Sequence, residues 1–341
     1  MNEMITVTDL PLATRPLRLG FLGVGWIGRH RMKAILDTGL AQAIAVADPS
    51  SVMRAEALKL APDTALLETI DAVLEHELDG LVIATPSAQH ARQSITALKA
   101  GVAVFCQKPL GRDAGEVKTV IEAAEAADRL LGVDLSYRHT AGMQLIREHI
   151  RNGELGDVFG ADLTFHNAYG PDKPWFYDKQ LSGGGCLMDL GVHLIDMALW
   201  SLDFPRVTTV EGRLLADGRP LLQEDHAVED YAIATLTTDC GTAIRIACSW
   251  RLHAGRDAVI DASFYGTKGG ISMANVSGSF YDFTTERFQG TARQPLQQPP
   301  EDWGGRGAAA WVRKLATSRG FDPECKKLID VAEAMDRIYG R

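Results

Sequence analysis

From Arg18 the chain alternates short apolar runs with longer segments of helical period. Arg18–Leu22 (RLGFL) and Ala43–Ala47 (AIAVA) are too short and too evenly apolar for amphipathic helices, and they predict strands buried on both faces. A helix between them runs to about Gly39. The alternation continues with a short helix over Leu66–Leu74, a strand at Gly80–Ala84, and a helix capped by Ser87 that runs to about Ala100. A strand at Gly101–Phe105 follows. Asp113 with Glu116 forms a capping box that opens an Ala-rich helix ending before Gly132, and Gly132–Ser136 is a further strand. Strand–helix repetition of this kind predicts an α/β Rossmann-type, doubly wound parallel sheet.

After Thr140 the rhythm changes. One helix spans about Gly142–Arg151. Long runs with two-residue alternation follow at 158–166, 206–215, 231–238, 242–252, 258–265 and 279–285, the pattern of half-buried antiparallel strands. A helical segment at Ser182–Trp200 interrupts them. Residues 294–307 (QPLQQPPEDWGGRG) predict a loop, and Pro323–Tyr339 a final helix. The expected organisation is an N-terminal arm at 1–14, a dinucleotide-binding domain at 15–139, and a C-terminal α+β domain with a mostly antiparallel open sheet at 140–341.

Composition narrows the function classes. Of 341 residues, 46% are apolar and 23% charged, the profile of a globular protein with a full core. The net charge of −9 argues against nucleic acid and anionic membrane as partners. No apolar run reaches the ~18 residues of a membrane span. The first residues carry an early acid, no basic n-region and no twin arginine, so they do not resemble an export signal. Five cysteines without a CxxC pair read as reduced thiols of a cytoplasmic protein.

The first strand leads into Gly23-Val24-Gly25-Trp26-Ile27-Gly28 and then a helix. That order is what a dinucleotide site needs. The first glycine turns the chain, the second lets backbone approach a pyrophosphate, and the third lets helix pack on strand. The second strand ends at Asp48, 20 residues past Gly28, where an acid holds ribose hydroxyls and repels a 2′-phosphate. NAD is therefore the expected cofactor. Ser50, Ser51 and Arg54 leave NADP open. Thr85, Pro86, His90, Gln107 and Lys108 fall at the carboxyl edge of later strands, where ligands bind in open α/β sheets.

In Ser182–Trp200, Met188, Val192, Ile195 and Leu199 form an apolar stripe, while Asp189, His193 and Asp196 share another helical face. A carboxylate one turn before an imidazole orients it and stabilises its charged form, the preparation a general base requires. A metal reading of the same three side chains lacks further ligands, so no metal is expected. Pro171–Asp178 (PDKPWFYD) offers Trp175 and Tyr177 as a stacking surface for a sugar ring.

Four features stand in order: the GxGxxG turn, Ala84–His90 (ATPSAQH), Cys106–Pro109 (CQKP) and Gly183–Asp196 (GGGCLMDLGVHLID). With Asn152–Gly156 (NGELG) they resemble the Gfo/Idh/MocA family of sugar and cyclitol oxidoreductases over about residues 17–341. The resemblance implies NAD(P)-dependent oxidation of a hydroxyl or reduction of a keto group, a homodimer or homotetramer formed through the open sheet, and a cis bond before Pro109. It implies Lys108, Asp189 and His193 as the catalytic set, with Arg138 following the last Rossmann strand at the substrate. One departure is Gln107, where the family motif has glutamate. Two assignments stay open: His193 as proton acceptor beside a cationic Lys108, or Lys108 as acid/base with His193 clamping substrate. A redox-neutral glycoside-cleaving enzyme with tightly held NAD, or a non-catalytic sensor, would use the same fold.

Overall fold

The computed structural model describes residues 15–222 and 226–341, so the expected arm at 1–14 lies outside the described residues. The N-terminal half holds strands β1 (Leu17–Leu22), β2 (Ala41–Ala47), β3 (Ala65–Leu67), β4 (Gly80–Ile83), β5 (Ala103–Cys106) and β6 (Leu131–Val133). They form one sheet in the order β3-β2-β1-β4-β5-β6, and every pairing is parallel. Helices α1 (Trp26–Leu36), α2 (Ser51–Leu58), α3 (Ile70–Leu74), α4 (Ser87–Lys99) and α5 (Ala114–Ala127) make the crossovers. The order reverses between β1 and β4, the switch point at which this sheet type binds dinucleotides.

The expected helix at 66–74 is a strand followed by a helix. Ala65–Leu67 pair with Ala45–Ala47, and Thr69 Oγ1 accepts the Ala72 amide, so the helix starts only at Ile70.

The C-terminal half contains α6 (Ala141–Arg151), β7 (Val158–Asn167), α7 (Lys179–Ser182) and α8 (Val192–Ser201), followed by eight strands. These are β8 (Val207–Ala216), β9 (Arg219–Pro220), β10 (Tyr231–Thr238), β11 (Ala243–Ser249), β12 (Ala258–Gly266), β13 (Gly269–Asn275), β14 (Phe283–Gln289) and β15 (Ala292–Gln297). The nine strands run β15-β14-β13-β12-β7-β11-β10-β8-β9, antiparallel except β7 with β11. Along β10, Ala232, Ala234 and Leu236 are buried against the helices while Thr235 on the other face is exposed, the alternation of an open sheet.

Two strands escape the sequence pattern. β13 starts on Gly269-Gly270, and β15 is an edge strand of Gln, Arg and Pro that needs no apolar face. The expected strand at 279–285 begins later, because Ser279 and Asp282 close a turn ahead of Phe283. The expected loop at 294–307 is partly β15 and opens α9 (Arg306–Thr317). This helix returns to the first sheet, where Trp311 packs on Phe105 and Leu315 joins the core around Leu19 and Val82. The last helix, α10 (Lys327–Tyr339), packs on α5, α8 and β8.

Candidate active site

The glycine turn has the shape of a phosphate cradle. Gly23 has φ +80°, and a Cβ there would meet the Ala84 carbonyl at 2.6 Å. A Cβ on Gly28 would meet the Gly23 carbonyl at 2.1 Å, so helix and turn are in contact. A Cβ on Gly25 would meet nothing within 4 Å: this is the open side, where backbone is free to approach a ligand. Gly25 caps α1 with no side-chain hydrogen bond, so the first N–H groups of the helix face the cradle unclaimed by a cap. Trp26 is exposed beside it and Ile27 half-buried. At the end of β2, Asp48 accepts the amides of Val24 (2.9 Å) and Ser50 (2.9 Å) and is held against the turn. Arg54 donates to the Asp48 carbonyl (2.5 Å) and to Glu68 (3.0 Å). These residues fit a pyrophosphate and a ribose.

Thr85 and Pro86 close the end of β4, with Pro86 rather than Ser87 at the N-cap position of α4. Thr85 Oγ1 donates to Gln93 at 2.6 Å. His90, expected to touch cofactor, lies behind this edge instead. It is 1% exposed, and its two ring nitrogens lie 2.7 Å from the carbonyls of Thr85 and Pro109. Burial lowers its pKa. It ties the β4 and β5 loops together from below.

β5 delivers Gln107 and Lys108 to the same edge, and the bond before Pro109 is cis. Lys108 Nζ reaches across to the C-terminal half and donates 2.7 Å bonds to both Oδ1 and the main-chain carbonyl of Asp189. Trp250 Nε1 donates to the other carboxylate oxygen at 3.1 Å. Asp189 therefore pairs with lysine and tryptophan, not with His193 as the four-residue spacing predicts. The reason is local: Leu187–Gly191 is a π turn with i→i+5 bonding, so the register of an α-helix does not hold across 189–193.

His193 is the second residue of α8, which is buried all round rather than amphipathic. The imidazole is 7% exposed, and its ring lies 5.0 Å from that of Tyr137. Burial first, then the charges of Lys108 and Arg31, lowers its pKa well below the ordinary histidine value. Its Nδ1 is buried without a hydrogen-bond partner among the described residues. Asp196, expected on the same face, pairs with Arg138 instead, Nε to Oδ2 at 2.8 Å with a second contact from Nη2. The Arg138 guanidinium also lies over Trp200 and Phe204. Its charge is therefore paired with Asp196 of α8.

Trp175 stacks on Phe176 with centroids 3.8 Å apart, and both Phe176 and Tyr177 lie edge-on to Trp250. The expected aromatic loop thus reaches the ring that holds Asp189. Three contributors escaped the sequence reading. Trp250 follows β11 and shows only as the end of an alternating run. Asp134 is a lone acid in the apolar run expected as a strand at 132–136, which stops at Val133 just before it, and the burial cost of such an acid signals a partner. Glu229, buried, accepts the amides of Gly185 (2.8 Å) and Leu187 (2.9 Å) and the Tyr339 hydroxyl (2.8 Å), so it braces the turn that carries Asp189.

A glycine turn shaped as a dinucleotide cradle, with a lysine–aspartate pair near a buried histidine at the same sheet edge, is the arrangement of a nicotinamide-dependent oxidoreductase. An oxidoreductase-family model with an NAD-binding Rossmann fold matches residues 17–135, and a GFO/IDH/MocA C-terminal domain model matches residues 143–272. The chain belongs to the Gfo/Idh/MocA family. It is 30% identical over 282 residues to inositol 2-dehydrogenase of Rhizobium meliloti (strain 1021), covering 82% of each chain. Its fold is similar to that of a levoglucosan dehydrogenase in complex with NADH and levoglucosan (TM-score 0.82, 21% identity, 96% of this chain and 97% of that one). It is similar as well to a 3-ketoreductase from Actinomadura kijaniata in complex with NADP and TDP-benzene (TM-score 0.82, 20% identity, 96% and 98%). Among the described residues no helix is long and apolar enough to cross a membrane.

Proposed function

We propose that this chain moves a hydride between NAD and a secondary carbinol carbon of a sugar, sugar derivative or cyclitol. The observation that carries the reading is the Lys108–Asp189 pair near the neutral, buried His193, with Lys108 on the sheet edge where the glycine turn also lies. The bound nicotinamide supplies the hydride acceptor or donor. The remaining work belongs to this chain. In the oxidative direction the His193 imidazole takes the hydroxyl proton, and the neutral ring that burial favours is the form that accepts it. The Lys108 ammonium, held by Asp189, stabilises the negative charge that grows on the carbinol oxygen. Asp189 orients Lys108 and accepts from a neighbouring hydroxyl. Trp175 and Tyr177 offer ring faces beside Trp250 for the apolar side of a sugar.

Gly23, Gly25 and Gly28 hold the pyrophosphate, and Asp48 the adenosine ribose. NAD is preferred over NADP because Asp48 presents a carboxylate there and Arg54 is turned to Glu68. The relatives support the substrate class, since inositol 2-dehydrogenase and a levoglucosan dehydrogenase are among them. A homodimer or homotetramer through the open face of the second sheet, working in the cytoplasm, completes the reading. The test is absorbance of reduced nicotinamide with NAD⁺, then NADP⁺, across a panel of sugars, anhydrosugars and inositols. A signal lost in Lys108→Ala and His193→Asn supports the reading. Silence with nicotinamide already bound would favour the redox-neutral alternative.

A further inference from the structure

Asp134 is 1% exposed and directly follows β6, the last strand of the first sheet. A single oxygen, Oδ2, receives both Arg31 Nε from α1 and the side-chain amide of Gln107. Gln107 is the residue before Lys108. One buried carboxylate thus joins the helix that opens at the dinucleotide cradle to the loop that carries the site lysine. We propose that Gln107 and Asp134 form a single positioning unit, one amide on one carboxylate, which holds Lys108 in place and accepts one negative charge but neither two nor none. The inference rests on the function proposed above for what Lys108 does.

The charge count follows from the surroundings. Arg31 and His30 face Asp134 from α1, Cys106 from β5, and His139 from the turn after β6, with Arg306 of α9 beyond it. Arg31 is the one full positive charge bonded to it. With Asp134 ionised and Gln107 neutral, that charge is balanced. The positive field of Arg31 already helps depress His193, so removing Asp134 would strengthen it. A second carboxylate at 107 would touch the first, and like charges in contact force one of them to keep its proton.

The test is a cycle of Gln107→Glu, Asp134→Asn and the double variant, which puts the carboxylate at 107 and the amide at 134. Each single variant is expected to lower kcat at least about tenfold. In Gln107→Glu the added carboxyl has a folded pKa raised above its unfolded value. Both kcat and resistance to unfolding should therefore fall relative to wild type as pH rises from about 4.3 through that raised value. The double variant should recover kcat to within about threefold, with the wild-type pH profile. A double variant no better than the product of the singles overturns the proposal. So does a Gln107→Glu enzyme whose pH profile matches wild type, or single variants that lose melting temperature but keep kcat. If the wild type is silent on every sugar, the function reading fails by itself. Unfolding against pH then still decides the pairing, and parallel curves for wild type and Gln107→Glu overturn it.

Discussion

Lys108 Nζ donates to both the carboxylate and the main-chain carbonyl of Asp189, each at 2.7 Å, and so joins the edge of the first sheet to the π turn of the second domain. Both side chains are about one-fifth exposed, so the pair is screened only in part and stays open to solvent. A cation fixed by two acceptors keeps its position. In the function proposed for it, that is pre-organisation: the charge would be in place before negative charge develops on the substrate.

Lys108→Ala removes this charge without touching the glycine turn or Asp48. The expected result is a loss of about 10²–10⁴-fold in kcat with nicotinamide affinity nearly unchanged. Stopped-flow turnover and quenching of protein fluorescence by NADH separate the two effects. A loss of nicotinamide affinity with kcat retained would place Lys108 in cofactor binding alone.

Trp250→Phe keeps the ring and removes the donor to Asp189 Oδ2. The carboxylate is open enough to take a water in exchange, so about 1 kcal/mol is expected, about fivefold in kcat/KM. An unchanged kcat/KM would mean that the lysine alone orients Asp189.

Arg138 separates a structural role from a substrate role. Its guanidinium pairs with Asp196, whose side chain is 2% exposed. Arg138→Ala leaves a buried carboxylate unpaired, with an expected cost of about 3–5 kcal/mol in denaturant unfolding. Arg138→Lys should recover little, because a point charge does not replace a two-nitrogen contact. If instead KM rises with stability intact, Arg138 belongs to the substrate site.

The sequence carried the parts of this site that depend on local order. The GxGxxG turn, the spacing to Asp48, and the Lys108 and His193 positions were legible because a turn, a strand end and a helix start are short-range features. What was not legible depended on tertiary pairing. The spacing of Asp189 and His193 suggests a hydrogen-bonded pair only if the segment is α-helical, and the π turn breaks that register. Asp196 and Arg138 are 58 residues apart and meet only once α8 is buried. Strand β15 and helix α9 were hidden for a related reason. An Ala-rich helix that packs Trp311 onto the first sheet gives little periodic signal in the Pro/Gln-rich stretch before it.

The pH dependence turns on His193. Its folded pKa lies well below the unfolded value near 6.5, chiefly because burial penalises the charged ring. The stability tied to keeping this ring neutral is fully present above the unfolded pKa. As pH falls below about 6.5 the unfolded chain gains a proton that the folded chain refuses, so that stability drains away toward the lower folded value. His90 and His139, buried and lowered in the same direction, add to the slope. His193→Asn should flatten the acid side of the unfolding curve relative to wild type. The same shift sets the catalytic limb. Because the imidazole stays neutral below its ordinary range, the acid limb of kcat for oxidation should fall below pH 6.5, and in His193→Asn it should vanish along with most of the rate. Rates measured between about pH 5 and 8 at saturating NAD⁺ test this, and an acid limb at or above 6.5 would assign the proton transfer to a different group.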